Sequence, residues 1–452
     1  MPIIAILGGG IAGLTAALRL RAGGADAVVF EAAAEPGGAL RSKRTGGFLV
    51  EYGPNTLRAR TPLLHEVIAA VGLEDEVVEA RAAARHRYVV RGGVPVPLPA
   101  SPPGLLRSDV LSWRGRLRLL AEPFVGRGDE DETVAAFVRR RLGREALAYG
   151  ADPFVAGIFA GDPGQLSMRH AFPALVELEQ KHGSLLKGLV RQGRSRESGS
   201  PAAPGIFSFR DGLQQLPVAM AHVLGDAVSL SAPVTALRRE GGGWRVEVDG
   251  VRTAARFDAA VSTLPLHALS RLELPFDAGP LADVVYAPVA VVALGFRRAD
   301  VAHPLDGFGV LVPAAEADYR ILGAIFSSTL FPGRAPDDHV LLTVLAGGMR
   351  HPDLAALPAD VLADLTLDDL RRLLGVTGAP AFIHHYAWRH GIPQYTPGYD
   401  AVLRHLGALE AAHPGLYFAG NYRDGVSVPD AMASGEAAAQ RLRDALSGEE
   451  PG

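Results

Sequence analysis

The chain has 452 residues, a length that at about 150 residues per domain suits three domains or one large fold with insertions. Hydrophobic residues make up 48% and charged residues 21%, and 45 basic against 49 acidic side chains leave a net charge of −4, which argues against a nucleic-acid binder held by a global basic field. Cysteine is absent, which excludes disulfides, thiol nucleophiles and cysteine-ligated zinc or iron–sulfur clusters, whereas glycine is in excess with 53 residues.

The opening reads strand, helix, strand. Ile3 to Leu7 is a continuous apolar run suited to a buried parallel strand. Leu14 to Leu20 has helical spacing, and Ala27 to Phe30 is a second short apolar run. Leu105 to Arg127 mixes Leu and Trp with arginines. Thr133 to Leu142 and Ala171 to Leu189 read as helices, and Arg191 to Pro204 as a loop or linker. Strands follow at Val228–Ser231, Trp244–Val248 and Ala259–Thr263, with a glycine turn at Gly241–Gly243. Val284–Phe296, Gly307–Val312, Ile321–Ser327 and Val340–Ala346 suggest a mostly antiparallel sheet. Leu357–Leu374 is a helix, Gly415–Gly420 a last strand, and Asp430–Leu446 an Ala-rich closing helix. No apolar run is long enough for a membrane-spanning helix and the N-terminus has no signal-peptide pattern, so the expected location is cytoplasmic.

Gly8-Gly9-Gly10-Ile11-Ala12-Gly13 joins the first strand to the first helix and satisfies the G-x-G-x-x-G spacing of a dinucleotide-binding turn. Its glycines permit a tight turn, close approach to a pyrophosphate and close helix–strand packing, with the helix N-terminus facing the anion. Glu31 ends the next strand, where a carboxylate accepts from ribose hydroxyls. Pro36-Gly37-Gly38-Ala39-Leu40-Arg41 adds backbone amides and one cation suited to a diphosphate. Glu51-Tyr52-Gly53-Pro54-Asn55 is a turn able to place backbone beside an isoalloxazine ring. Near the C-terminus a strand ends in Gly420, and Gly425-Val426-Ser427-Val428-Pro429-Asp430 opens a helix.

This series resembles the flavin amine oxidase superfamily. Segments in the middle, Asp152 to Ser167, Gly307 to Pro313, Gly391 to Gly398 and Arg87 to Val90, look like the oxygen-dependent protoporphyrinogen oxidases, of mitochondrial or myxobacterial type. The resemblance runs from about Ile3 to Leu442. It implies an α/β fold with α+β insertions: a discontinuous Rossmann-like FAD domain (1–60, 205–265 and 385–446), a mixed-sheet substrate domain (61–98 and 266–384), a helical membrane-association domain (99–204) and a flexible tail (447–452). It implies non-covalent FAD and a six-electron oxidation of protoporphyrinogen IX by dioxygen to protoporphyrin IX and hydrogen peroxide, with hydride passing from a meso carbon to flavin N5. FAD contacts are then expected from Gly8 to Gly13, Glu31, Gly38, Ala39, Arg41, Gly53 to Thr56 (with Pro54 and Asn55), Val234, Trp388, Gly420, Val426, Ser427 and Val428. Arg87 would pair with a propionate, Phe308 would stack on a pyrrole, and Gly309 would admit the ring near the reacting meso carbon. Gly157, Leu311 and Leu345 would line the pocket.

No essential side-chain acid, base or nucleophile is expected, and no metal, since His384 and His385 point to opposite faces of a strand and His351 stands apart. One departure from the family is Pro429, where asparagine is usual; it removes an amide near the flavin. Expected partners are the porphyrinogen, dioxygen, the inner face of the cell membrane through Leu105 to Arg127, and a ferrochelatase that takes the product, with the chain a monomer or homodimer. The alternatives are a coproporphyrinogen III oxidase of the same fold, a flavin amine oxidase or desaturase, and a non-catalytic FAD-binding redox sensor.

Overall fold

A computed structural model describes residues 1–58, 61–99, 104, 108–196, 205–249, 251–252 and 256–448. Two sheets organise these residues. The first has five strands in the order Val228–Ser229, Asp26–Phe30, Ile3–Leu7, Ala259–Ser262 and Leu416–Phe418, all parallel. Ile4 to Leu7 and Ala259 to Ser262 are buried throughout, which is why they read as unbroken apolar runs. The helix Ile11–Ala22 lies against the closing helix Val428–Ser447, so the two ends of the chain share one core. The contact is close: a Cβ on Gly435 would stand 2.1 Å from the carbonyl oxygen of Ala12.

The second sheet has seven strands in the order Phe382–Pro393, Tyr286–Arg297, His339–Gly347, Ile321–Phe326, Gly307–Leu311, His86–Arg91 and Val94–Leu98. Every pairing is antiparallel except that of Gly307–Leu311 with His86–Arg91. The helix Ala359–Leu374 seals one face, where Leu362, Leu370 and Leu373 pack on Val292, Leu342 and Val344. The opposite face meets the helical segment 152–160 through Ala156 and Ala160 and the strand Phe48–Glu51 through Phe48 and Val50, and it carries the residues of interest.

The structure corrects four expectations about organisation. The single helix over Ala171–Leu189 is three pieces, Met168–Ala171, Pro173–His182 and Leu185–Arg196, because Phe172 leaves helical geometry and Gly183 adopts a left-handed conformation at φ 68°. The loop expected from Arg191 is helical as far as Arg196; 197–204 lie outside the described residues. Residues 61–79 do not join the second sheet. Leu63, Leu64, Val67 and Ile68 pack into the first core, and Val77–Glu79 pairs with Ile206–Phe209. A division at 385 cuts the edge strand Phe382–Pro393, whose partner Tyr286–Arg297 binds it along its length. Leu105, Leu106 and Arg107, and tail residues 449–452, lie outside the described residues.

The helical insert shares a core with the parallel sheet: Phe137, Val155, Phe159 and Leu185 pack together with Leu7, Phe30, Tyr395 and Phe418. A buried ion cluster fixes its elements to one another. Arg141, wholly buried, donates from Nε to Glu179 at 2.5 Å and from Nη1 to Glu122 at 3.1 Å. Glu122 in turn accepts from the Ser184 hydroxyl and the Leu185 amide.

Candidate functional site

At the end of the first strand Gly8 holds φ at 107°, and its amide donates to the carbonyl of Phe30 at 2.9 Å. A Cβ on Gly13 would lie 2.0 Å from the Gly8 oxygen, so the third glycine is demanded by helix–strand contact. Gly10 differs: the nearest atom to a Cβ there is the Cα of Gly38, at 3.9 Å. The Gly37–Gly38 loop rests on the first turn, with the Gly37 amide donating to the Gly9 carbonyl at 2.9 Å. The helix Ile11–Ala22 starts at Gly10 without a side-chain cap. Its first amides face the cleft between the two glycine loops, a place for an anion.

Glu31 accepts from the amides of Gly9 at 2.7 Å and Ala33 at 2.8 Å. Both carboxylate oxygens are engaged, each with a further lone pair for a hydroxyl. The segment leading to Val234 runs alongside, since the amide of Ala232 donates to the Glu31 carbonyl at 2.8 Å. The N-terminus of the closing helix is mostly self-satisfied. Ser427 accepts from the Asp430 amide in a capping box, and Pro429 in the first turn has no N–H. The family departure at Pro429 therefore sits where proline suits a helix, and of the first-turn amides it leaves that of Val428 to face a ligand. The amide of Gly420 is spent on the Ser434 hydroxyl at 2.9 Å, and Gly425, at φ 131°, brings its backbone against Asp430.

The turn Gly53–Thr56 follows Tyr52, and Asn55 closes it by donating to the Gly53 carbonyl at 3.0 Å. A Cβ on Gly53 would meet the Ala39 oxygen at 2.1 Å, so this turn and the second glycine loop are in direct contact. Trp388, on the edge strand, donates from Nε1 to the carbonyl of Tyr52 at 2.7 Å. Arg41, expected at a diphosphate, stands beside the aromatic group: its guanidinium lies 5.9 Å from the Trp388 ring centre and donates to the Tyr386 hydroxyl at 3.3 Å.

Across the open face of the seven-stranded sheet the strand registers line up Leu311, Gly323, Leu345, Val291 and Tyr386 in one row. Gly157, on the helix Asp152–Phe159, approaches this row, its Cβ position 3.1 Å from Leu311 Cδ2. Phe154 and Ile158 flank Gly157 on the exposed side of that helix. At the far end Arg87 places its guanidinium 5.2 Å from the centre of the Phe308 ring. Burial lowers the pKa of Arg87, and the neighbouring charge of Arg58 lowers it further. No carboxylate among the described residues pairs with Arg87. Gly309 departs from expectation. A Cβ there would run into the Ala324 oxygen at 2.3 Å, so the glycine is required by the neighbouring strand rather than by space for a ring. The sequence reading missed Tyr52, His384 as a partner of Tyr52, Tyr386 and Val291. Alternation of Phe382, His384, Tyr386 and Trp388 was the available signal for His384 and Tyr386.

The model of the flavin-containing amine oxidoreductases matches residues 11–443. Protoporphyrinogen oxidase 2, chloroplastic/mitochondrial, of Arabidopsis thaliana is 36% identical over 96% of this chain and 92% of its own length. The protoporphyrinogen oxidase of Bos taurus is 35% identical over 97% of this chain and 98% of its own. This chain belongs to the protoporphyrinogen oxidases, within the flavin-containing amine oxidoreductases. A crystal structure of a protein provisionally assigned as a protoporphyrinogen oxidase from Exiguobacterium sp. 255-15 superposes with a TM-score of 0.83 at 26% identity, covering 98% of both chains. FAD is the cofactor, and the residues present fit it: a glycine cleft that a Cβ on Gly10 would narrow, an uncapped helix start, and an acid with spare lone pairs at the second strand.

Proposed function

We propose that this chain oxidises protoporphyrinogen IX to protoporphyrin IX and passes the electrons to dioxygen, releasing hydrogen peroxide. The observation that carries the substrate reading is the row Leu311–Gly323–Leu345–Val291–Tyr386, an apolar shelf with the unmatched cation Arg87 near one end and Trp388 near the other. A porphyrinogen is a puckered, largely apolar macrocycle, its pyrroles joined by sp3 meso carbons, with carboxylates on one edge, and an apolar surface with a cation near one end suits its polarity and charge. Arg87 pairs with a propionate, since a guanidinium matches a carboxylate in geometry. Phe308 packs on a pyrrole, and Leu311, Leu345 and Gly157 hold the macrocycle and exclude water.

Bound FAD supplies the two-electron acceptor chemistry. Gly8 to Gly13, Glu31, Gly38, Ala39, Val234 and the Val428 amide hold the dinucleotide, and Gly53 to Thr56 with Trp388 bound its ring. Apart from the Tyr386 phenol, whose hydroxyl accepts from Arg41, no side chain of the shelf carries an acid or base, so the protein contributes binding, orientation and exclusion of water. The test compares two porphyrinogens. Protoporphyrinogen IX should be oxidised faster than coproporphyrinogen III, with peroxide formed. The reverse order would assign the chain to coproporphyrinogen.

We also propose peripheral contact with the inner face of the cell membrane. Trp113, Leu117, Leu120 and Phe124 are 64%, 56%, 54% and 90% exposed on one short helix and the turn after it, next to Arg114. Apolar side chains beside a cation suit an anionic lipid surface. No helix among the described residues is long and apolar enough to cross a membrane. Phe124→Asp with Leu120→Asp should abolish flotation with anionic vesicles and leave oxidation of detergent-dispersed substrate intact.

A further inference from the structure

The edge strand Phe382–Pro393 turns every second side chain to the open face, and four of these in succession are rings: Phe382, His384, Tyr386 and Trp388. Phe48 stacks on Phe382 at 4.6 Å in plain core fashion. Nearer the candidate flavin turn the contacts become directional. The Tyr52 ring lies parallel to His384 at 5.3 Å and to Tyr386 at 4.5 Å. Its hydroxyl shares a hydrogen bond with His384 Nε2 at 2.8 Å. Its amide donates to the Arg41 carbonyl at 2.8 Å, and its own carbonyl accepts from Trp388 Nε1. Tyr386 meets Trp388 at 4.8 Å and 60°, and its hydroxyl accepts from Arg41. Apolar packing tolerates rotation of a ring, whereas these bonds fix it. The next residue is Gly53, held against the Ala39 oxygen.

We infer that Tyr52, His384 and Tyr386 are positioning residues that set the Gly53–Thr56 turn and Trp388 in a fixed relation to the substrate shelf. The inference rests on the cofactor and substrate reading above, because the turn and Trp388 are the groups placed there against the flavin ring. Tyr386 joins the two halves of the site. It belongs to the shelf row by strand register, and it contacts Trp388, Arg41 and Tyr52 by its ring and hydroxyl.

The test uses Tyr52→Phe, His384→Phe and Tyr386→Phe, each of which leaves an aromatic ring in place and removes a side-chain hydrogen bond. His384→Gln is the conservative partner, and Ile383→Ala, on the opposite side of the strand and 52% exposed, is the control. The readouts are the FAD dissociation constant, visible-region circular dichroism of bound flavin, and kcat and KM for protoporphyrinogen IX. The three ring-retaining variants should weaken FAD by about threefold to tenfold, as loss of one hydrogen bond does. They should change the visible dichroism and lower kcat at nearly constant KM, with His384→Gln partly restored and Ile383→Ala unaffected. Stoichiometric FAD with wild-type dichroism and affinity in all three would overturn the inference, as would a fall in melting temperature alone. A wild-type protein that takes up no FAD would overturn the cofactor reading itself.

Discussion

Arg87 lies over the ring of Phe308, with its guanidinium carbon 5.2 Å from the ring centre and no carboxylate of the described residues answering its charge. Arg87 is an exposed residue, so a ligand carboxylate can reach it and pair with it. Arg87→Ala should therefore raise KM for protoporphyrinogen IX by about tenfold or more, the worth of a charge-assisted hydrogen bond. The flavin absorption should not change. Arg87→Lys should recover only part of the loss, and steady-state kinetics with a propionate-esterified porphyrinogen should show no dependence on this residue.

The two glycines of the first turn should separate folding from cofactor binding. Gly13→Ala drives a methyl into the Gly8 oxygen, an overpacking fault costing about 1–3 kcal/mol or more, and should lower the melting temperature even without FAD. Gly10→Ala meets nothing closer than 3.9 Å, so the apoprotein should melt as wild type does. FAD binding should nevertheless weaken at least about tenfold in this variant, because the new methyl stands in the cleft assigned to the diphosphate. Paired melting curves with and without FAD check both outcomes.

Arg141 holds Glu122 and Glu179 in a wholly buried cluster. Removing one partner of such a group leaves buried charge unpaired, at a cost of about 3–5 kcal/mol. Arg141→Met should thus destabilise the chain by that order in denaturant titration, while the fraction that stays folded keeps a wild-type flavin spectrum.

His267 stacks on His390 at 4.3 Å and meets Tyr286 edge-on at 4.8 Å. Burial pushes its pKa from 6.5 down to about 4, helped by the charges of His390 and Arg271. The folded state therefore resists a proton that the unfolded chain accepts below about 6.5. Stability is unaffected above that pH, falls as the pH drops toward about 4, and levels off below. His267→Phe keeps a ring in place, so its melting temperature should decline less steeply over this window than that of wild type.

The parallel sheet was legible because its strands are buried on both faces and read as unbroken apolar runs, as Ile3 to Leu7 does. The glycine turn, Glu31 and the closing helix were legible for the same local reason: each has a short-range sequence pattern with a definite backbone consequence. Helix ends were less so. Gly183 breaks Ala171–Leu189 through a left-handed conformation that composition permits but does not demand. The edge strand Phe382–Pro393 lacked an aliphatic pattern, its open-face positions being taken by rings, and so its place in the sheet came only with the structure.

Taken alone, the sequence determined the cofactor class and the family, since these depend on local motifs and on a resemblance spread along the chain. Only tertiary structure decided which residues stand together. Arg41 stands against Trp388 and Tyr386, side chains far along the chain that no local pattern places beside it. Gly309 serves strand packing because Ala324 lies 2.3 Å from where its side chain would begin. Leu311, Leu345 and Tyr386 share a row because strand register, a long-range property, brings residues far apart in the chain to the same face.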